Sequence, residues 1–456
     1  MRRILVLVLV VVVVGCGDLL NRNVVARAGD DELLVEWFAS TLVQGEYVPQ
    51  ATAFERWAWL WVQYSLFLQR VAAGDSLVDT TTVLAAMWPE VLINTVANYY
   101  DRLIAEQITI SAERIDSAYT AGDHRMVDHI LISTGPTFSE QENQGRRRAA
   151  EATHARLAAG ADWSQEVRNS DDLATKEVGG RLGLITPGEM VPEFEHAAYE
   201  LAPGEMSDLV ETRFGLEIIR RPTLDEVREE FTEEVTTVLV ERWKAEYLEE
   251  LSAERQLHVL DEGPEIMRDA ADRPIRVLAL EPSRVIGTYE GGELTDVTFV
   301  GWLAALPAWE HMSIEGAGDE ELKEKARVAM QNEILFLEAK SVGTRLEDEQ
   351  FEEIKNRLST RLRRLRSAMR VDTAMARAAP NERRRVAADV LEEYVVGAIA
   401  SQRSVQHVPP FLARKLRAES NWHFSYSGVN RAFRRAVELG GARTRPRRGN
   451  TAANQE

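Results

Sequence analysis

The chain has 456 residues, of which 45% are hydrophobic and 28% are charged, a balance typical of a folded protein with several domains. Its formal net charge of −19 argues against nucleic-acid binding by the body of the protein, because nucleic acids are polyanions. The charge is uneven, since residues 414–448 contain ten Arg or Lys and two Glu, a local charge of +8.

The first sixteen residues have the pattern of an export signal. Two arginines precede an apolar run over residues 4–14, which is too short to span a bilayer comfortably and suits the core of a signal peptide. The run ends in Val-Val-Gly-Cys, which resembles the lipobox of bacterial lipoproteins, and Cys16 is the only cysteine. We predict a signal peptide over residues 1–16 and lipidation of Cys16. An uncleaved membrane anchor is the alternative.

Lipidation of Cys16 predicts a location in the cell envelope, on the periplasmic face. Gly17 follows the cysteine, and by the sorting rule of enteric lipoproteins this favours the outer membrane over the inner.

Residues 17–120 are predicted to form an N-terminal helical unit. One helix within it contains Trp57, Trp59, Trp61 and Tyr64, which make almost every side of the helix apolar. Because a helix that is apolar all round is normally buried, we predict a packed core here. The alternative is an apolar groove for unfolded chains.

An internal repeat links two distant parts of the chain. The segment LFLQRVAAGDSLVD begins at Leu66, and LFLEAKSVGTRLED begins at Leu335, with six identical residues at matched positions. A strand-turn segment and a helix precede both copies. We predict that residues 224–408 form a C-terminal helical unit that includes a repeat of the N-terminal unit. Residues 409–456 are predicted to be a basic, partly disordered tail, either solvated or in contact with anionic lipid.

Residues 121–223 differ from both flanks, since glycine breaks and Pro-Gly turns separate short runs. Residues 128–133 alternate between polar and apolar and predict a strand, and the whole segment reads β-α-α-β-α-β-β. This order predicts a small α+β domain in which helices cover a sheet.

The same segment resembles a parvulin-type peptidyl-prolyl isomerase. The resemblance lies in HILI (129–132), SDD (170–172), GGRLGLI (179–185), GEMVPEFEHAAYEL (188–201), GEMSDLVET (204–212) and FGLEII (214–219). An insert between helical units behind a lipidated N-terminus is also similar in layout to extracytoplasmic foldases and SurA-like chaperones. The fold class expected for the whole chain is therefore α+β, with a small parvulin-like domain inserted between helical chaperone-like units.

The resemblance implies a set of site residues. In parvulins an apolar cup holds the proline ring, and its positions match Leu182, Met190 and Phe194. The first histidine of the family's polar network matches His129. The acidic position matches Asp172, with its neighbour in the sequence, residue 171, as the alternative.

Three further positions bear on this network. Thr212 matches a supporting hydroxyl on the sheet. Glu217 stands where the family usually has a second histidine, and Arg181 stands where an acidic residue is common. An ionised Glu217 would pair with protonated His129 and raise its pKa, whereas a protonated Glu217 would donate a hydrogen bond.

The function implied by the resemblance is a membrane-tethered, extracytoplasmic peptidyl-prolyl cis-trans isomerase or foldase for exported proteins. Its partners would be unfolded or extended proline-containing polypeptides, with the membrane contacted through the N-terminal lipid. The barrier to X-Pro rotation, about 18–20 kcal/mol, comes from amide resonance, so no nucleophile, cofactor or metal is predicted. Because of Glu217, the alternative is a catalytically weak or inactive parvulin-like chaperone that binds unfolded chains.

Overall fold

The computed structural model describes most of the chain between residues 23 and 443. Within this part, no helix is long and apolar enough to cross a membrane. The predicted signal peptide, Cys16 and the end of the predicted tail lie outside the described residues. The ranges described are 23–44, 50–107, 111–121, 124–279, 283–304, 313–314 and 316–443.

Helices alternate with small antiparallel sheets, which confirms the predicted α+β class. In chain order the elements are β1 (Val24–Ala28), β2 (Asp31–Leu34), α1 (Val35–Gln44), α2 (Ala51–Ala72), α3 (Thr80–Ala86), α4 (Trp88–Gln107), α5 (Ala112–Ala121), β3 (Arg125–Ser133), α6 (Glu140–Ala158), α7 (Trp163–Glu166), α8 (Leu173–Lys176), β4 (Arg181–Ile185), α9 (Pro192–Glu200), β5 (Val210–Thr212), β6 (Gly215–Arg220), α10 (Leu224–Glu254), β7 (His258–Val259), α11 (Gly263–Asp272), α12 (Pro274–Ala279), β8 (Val285–Tyr289), β9 (Gly292–Thr295), α13 (Asp296–Leu303), α14 (Asp319–Ser341), α15 (Asp348–Met369), α16 (Val371–Arg377), α17 (Arg383–Ile399), α18 (Pro410–Ala418), β10 (Trp422–Phe424) and α19 (Tyr426–Arg443).

The chain divides into two compact units. One comprises the described residues between 100 and 250, and the other comprises those between 23 and 99 together with those between 251 and 443. The first unit is wider than the predicted domain of residues 121–223, because it includes flanking helices on both sides.

The unit of residues 100–250 is built on a four-stranded antiparallel sheet in the order β4-β3-β6-β5. Side chains alternate between the faces of a strand, so Val127 and His129 on β3 share one face with Ile219 on β6. On that face α9 packs, through Phe194 and Ala198. The opposite face is covered by α6 and by α7 with the single helical turn that follows it. The residues buried between this face and the helices include Ile130, Ile132, Ala150, Val167, Leu216 and Ile218.

The helices α5 and α10 close this unit beside the sheet. The ring of Tyr119 meets that of Phe231 edge to face at a centroid distance of 4.7 Å. The other buried members of this cluster are Ile115, Met126, Val227 and Val235. On α10, a carboxylate oxygen of Glu234 accepts the backbone N–H of Leu184 on the edge strand β4 at 2.7 Å. Satisfying an outward N–H in this way shields a sheet edge from pairing with other chains.

The other unit contains the aromatic helix α2, which packs against α17, α18 and α19. Trp57, Trp59, Trp61 and Tyr64 are all at most 6% exposed, so the predicted packed core is confirmed. The ring of Trp59 meets that of Trp422 edge to face at 5.6 Å. Strand β10, which carries Trp422, lies with α18 and α19 in the segment predicted as a basic tail, and it pairs with β1.

Two parts of this unit have the same order of elements. The hairpin β1–β2 leads into α1 and then α2, and the hairpin β8–β9 leads into α13 and then α14. Both long helices end before a glycine in the left-handed region, Gly74 with φ of 84° and Gly343 with φ of 77°. Glycine is favoured there because it has no Cβ to clash with the preceding turn.

Replacing Gly180 tests the link between the sheet and the loop that precedes β4. Gly180 and Gly188 both have left-handed φ, 79° and 92°, but only at Gly180 would a Cβ overlap the backbone, at the carbonyl oxygen of His129. A left-handed alanine costs about 1–2 kcal/mol at either position. We expect Gly180→Ala to cost roughly a further 1–3 kcal/mol from overpacking. Amide hydrogen exchange over residues 125–220 of the full chain measures both costs, and equal values for the two variants would contradict this packing.

Candidate functional site

The site is centred on His129, which lies in the middle of β3 and is 5% exposed. Its ring meets that of Phe194 on α9 edge to face, with centroids 6.1 Å apart. The histidine therefore has an apolar neighbour on α9, and its polar neighbours lie on β6 and at α8.

Both nitrogens of the His129 ring bind carboxylates. Nδ1 lies 2.9 Å from Oε2 of Glu217, and Nε2 lies 2.9 Å from Oδ2 of Asp172. Nε2 is also 3.0 Å from the hydroxyl of Thr175. A neutral ring donates from only one nitrogen, so this arrangement favours the doubly protonated imidazolium.

The register of the sheet places Glu217 against His129. On β3 and β6, His129 is directly opposite Ile219, and Leu131 is opposite Glu217. Glu217 is therefore a diagonal neighbour of His129 on the same face, within reach of a long side chain.

A helix cap places the second carboxylate. Asp172 is the N-cap of the short helix α8, and its Oδ1 accepts the N–H of Ala174 at 3.0 Å. The neighbouring Asp171, the alternative in the sequence, points elsewhere. It accepts the backbone N–H of Ser133 at 2.9 Å and pairs with Arg146 at 2.8 Å.

The charges shift the pKa values of this cluster in opposite directions. Burial disfavours charge on His129, but the hydrogen bonds and charges of Glu217 and Asp172 outweigh it and raise the pKa of His129. Burial works to raise the pKa of Asp172, but the hydrogen bonds from Thr175, from the Ala174 N–H and from His129 lower it overall. The imidazolium and the Asp172 carboxylate thus stabilise each other.

The three predicted cup residues converge on one cluster. Phe194 is buried, and the half-buried Leu182 and Met190 pack against the same core as Phe194, on the face of the sheet that carries His129. An apolar surface therefore lies next to the charged cluster, as a site for a proline ring requires.

Among the predicted site residues that the structure describes, Thr212 alone lies apart from the cluster. It is at the end of β5, where its hydroxyl accepts the N–H of Phe214 at 3.2 Å and lies 3.4 Å from the carbonyl oxygen of Gly215. Thr175, which sequence reasoning missed, supplies the hydroxyl beside His129. The available signal was the spacing of Asp172 and Thr175, which is that of an N-cap and the third residue of its helix.

Arg181, which departs from the family pattern, belongs to a second charge network on the sheet. It forms ion pairs with Asp128 and with Glu230 of α10. Asp128 is 1% exposed, and its other oxygen lies 2.6 Å from Arg220. The arginine thus neutralises a buried carboxylate, and it takes no part in the His129 cluster.

The polar groups of the site are not arranged as a metal centre. Throughout the described ranges, no group of three or more His, Cys, Asp or Glu side chains is positioned to hold a metal ion.

Comparison with known proteins identifies the family of this domain. Residues 129–222 match the rotamase family described as the PPIC-type PPIASE domain, which confirms the predicted parvulin-type domain. Chaperone SurA of Cupriavidus metallidurans is 36% identical over 135 residues, 30% of this chain and 26% of that protein. Foldase protein PrsA of Halalkalibacterium halodurans is 29% identical over 182 residues, 38% of this chain and 51% of that protein. The chain thus spans between a quarter and about half of the length of these relatives.

Solved structures also resemble parts of the chain. NmPin, the parvulin of Nitrosopumilus maritimus, is 31% identical and covers 22% of this chain and 96% of its own, with a TM-score of 0.18. Peptidylprolyl isomerase PrsA of Bacillus anthracis is 23% identical and covers 45% of this chain and 88% of its own, with a TM-score of 0.19.

The charged cluster predicts a definite pH dependence of stability. The pKa of His129 is raised in the folded state above the unfolded value of about 6.5, so its stabilisation is complete below about pH 6.5 and is lost as pH rises through the folded pKa. The pKa of Asp172 is lowered, so its stabilisation is lost as pH falls through that folded pKa.

NMR titration of the histidine rings measures this directly, with His129→Gln identifying the signal of His129. We expect Glu217→Gln to lower the pKa of His129, because the variant removes one of its two anionic partners. Glu211→Gln is the matched control, since Glu211 is exposed on the neighbouring strand and pairs with Arg147. A His129 pKa at or below about 6.5 in the unmodified chain would contradict the assignment.

Proposed function

We propose that this chain is a peptidyl-prolyl cis-trans isomerase for exported polypeptides, acting through the PPIC-type PPIASE domain at residues 129–222. The observation that supports this best is the apolar cup of Leu182, Met190 and Phe194 on the same face as the charged His129 cluster. The resemblance to chaperone SurA and foldase protein PrsA favours unfolded proline-containing chains as substrates.

The cup acts on the amide by excluding water. A planar X-Pro amide is more dipolar than the twisted amide, because resonance places negative charge on its oxygen and positive charge on its nitrogen. Moving the linkage from water to an apolar surface therefore destabilises the planar state more than the twisted state, and the barrier falls. The cis and trans forms differ by only about 0.5–1 kcal/mol, so no further driving force is needed.

In this proposal His129 is a positioning residue. Both of its ring nitrogens are engaged, so it offers no free lone pair to attack a carbonyl carbon or accept a proton. It holds Asp172, whose side chain is 25% exposed, through its Nε2 at 2.9 Å. Glu217 holds the ring at its other nitrogen, Nδ1. Thr175 takes the supporting place predicted for Thr212.

Anchoring is a further part of the proposal. The basic start, the short apolar run and the lipobox-like Val-Val-Gly-Cys support export and lipidation at Cys16, on the periplasmic face of the envelope, with the outer membrane favoured by Gly17. Cys16→Ser is expected to release the chain from the membrane fraction and abolish labelling by a fatty-acid analogue. Unchanged membrane association in that variant would indicate an uncleaved anchor instead.

A second candidate is a chaperone that binds unfolded chains with little or no turnover. Glu217, in the place where the family usually has histidine, favours it, because the extra carboxylate locks His129 as a charged ring. The apolar cup serves peptide binding in both cases.

An isomerisation assay on the full chain with short proline peptides distinguishes the two. We expect acceleration over the uncatalysed rate, and Phe194→Ala should lower kcat/KM about 10- to 100-fold, since a buried aromatic contact is worth about 1.5–3 kcal/mol. Phe214→Ala is the matched control, because Phe214 lies in the β5–β6 turn and is 50% exposed. Met190→Ala, at a half-buried position, separates lost binding from lost folding.

Failure to accelerate would remove the isomerase proposal and leave the chaperone. In that case Glu217→His tests whether the second carboxylate is the cause, since the variant is expected to raise the rate if the rest of the site is sound. A Phe214→Ala effect as large as that of Phe194→Ala would show that the cup is not where the proline binds.

A further inference from the structure

A groove outside the isomerase domain lies beside the first hairpin. It has a volume of about 400 Å³, and it is lined by Asp30 and every residue of β2 and by Ala388, Leu391 and Glu392 of α17. Trp37 and Trp61 complete its walls. This volume is within the range of small-ligand and peptide pockets.

The groove follows the free edge of a sheet. Strand β2 is the last strand in the order β10-β1-β2, and within the described residues its only sheet partner is β1. Side chains alternate between the faces of a strand, so a cavity that contacts each successive residue of β2 runs along its edge.

The turn that precedes β2 fixes which backbone groups face the groove. Ala28 is paired with Asp31 across a two-residue turn, in which Gly29 has φ of 58°. The pair that closes a two-residue hairpin exchanges both backbone hydrogen bonds, and the next pair exchanges none. That next pair is Arg27 with Glu32, so the N–H and C=O of Glu32 point to the free edge.

The walls of the groove are acidic and aromatic. The indole N–H of Trp37 donates to Glu392 at 2.8 Å, which orients the ring beside a carboxylate. Asp31 is held by Ser65 at 2.7 Å and by Gln69. At the rim two arginines form ion pairs with groove carboxylates, Arg27 with Glu32 and Arg384 with Asp30. Four carboxylates and two arginines leave the groove with an excess of negative charge. Exposed ion pairs contribute little free energy, so replacing one of these arginines by the cation of a ligand costs little.

The repeat shows that these residues are not required by the local fold. The second hairpin, β8–β9 followed by α13, keeps the acidic and buried apolar positions of β2 as Glu293 and Leu294. It lacks the other groove residues, with Gly291 in place of Asp30, Gly292 in place of Asp31 and Thr298 in place of Trp37.

We propose that this groove binds an extended segment of an unfolded polypeptide, which pairs with the free edge of β2 and places an Arg or Lys side chain against Glu392 and Trp37. Main-chain hydrogen bonds to β2 give sequence-independent affinity, and the acidic and aromatic walls select a cation. The inference rests on the proposed function, because it gives the same class of unfolded partner a second, proline-independent contact.

The probe is a fluorescent, proline-free peptide of alternating Thr and Val with one central Arg, titrated into the full chain. We expect saturable binding that weakens with rising salt, and much weaker binding when Glu replaces the Arg. Two further peptides carry backbone N-methyl groups, one on the odd-numbered residues and the other on the even-numbered residues. Only one side of the added strand faces β2, so one of these peptides should lose binding and the other should keep it. Equal binding of both methylated peptides would overturn the strand pairing.

Variants of the two hairpins give a matched comparison. Glu32→Gln and Glu392→Gln should each weaken binding of the Arg peptide about two- to fivefold, whereas Glu293→Gln in the second hairpin should leave it unchanged. Equal effects of Glu32→Gln and Glu293→Gln would refute the groove. Self-association of the chain that Glu392→Gln abolishes, without peptide binding, would likewise overturn the proposal in favour of a second copy.

The proline assay separates this inference from the isomerase proposal. Short proline peptides should isomerise equally fast in the Glu32→Gln and Glu392→Gln variants, because neither residue belongs to the isomerase domain. Weakened binding of the Arg peptide in these variants, with intact isomerisation, supports the groove. Unchanged affinity for the Arg peptide in both variants contradicts it, whatever the isomerisation rate.

Discussion

A buried imidazole held between two carboxylates organises the candidate site. His129 contacts Glu217 because both side chains lie on one face of the central strands β3 and β6. It contacts Asp172 because the four-residue helix that Asp172 caps begins beside that face. A charge buried in a sheet is stable only when it is paired and fully hydrogen-bonded. The cluster therefore depends on strand register, and a shift of one residue would turn Glu217 to the opposite face.

The same register creates the apolar side of the site. The face that carries His129 also carries Val127 and Ile219, which give Phe194 and the rest of α9 a surface to pack on. A second buried charge, Asp128, lies on the other face and is neutralised by Arg181 and Arg220. Alternation along one strand thus separates the charge network that supports the sheet from the cluster beside the cup.

The sequence was informative where the pattern is local. Turns and short strands indicated the domain, and its resemblance to parvulins implied the cup of Leu182, Met190 and Phe194. Ion-pair partners that only the tertiary fold brings together could not be predicted from the sequence. An example is Arg181 with Glu230, which lies forty-nine residues later on a helix outside the predicted domain. The spacing of Asp172 and Thr175 indicated a helix cap, but only the fold shows that Thr175, and not Thr212, supplies the hydroxyl beside His129.

The two candidate sites have complementary chemistry. Proline has no backbone N–H, so a proline-containing stretch pairs poorly with a strand edge, whereas an apolar cup is shaped for its ring. The groove beside β2 selects extended segments with a cation and needs backbone N–H groups. Between them, the sites would engage different stretches of one unfolded chain, so neither competes with the other for the same residues.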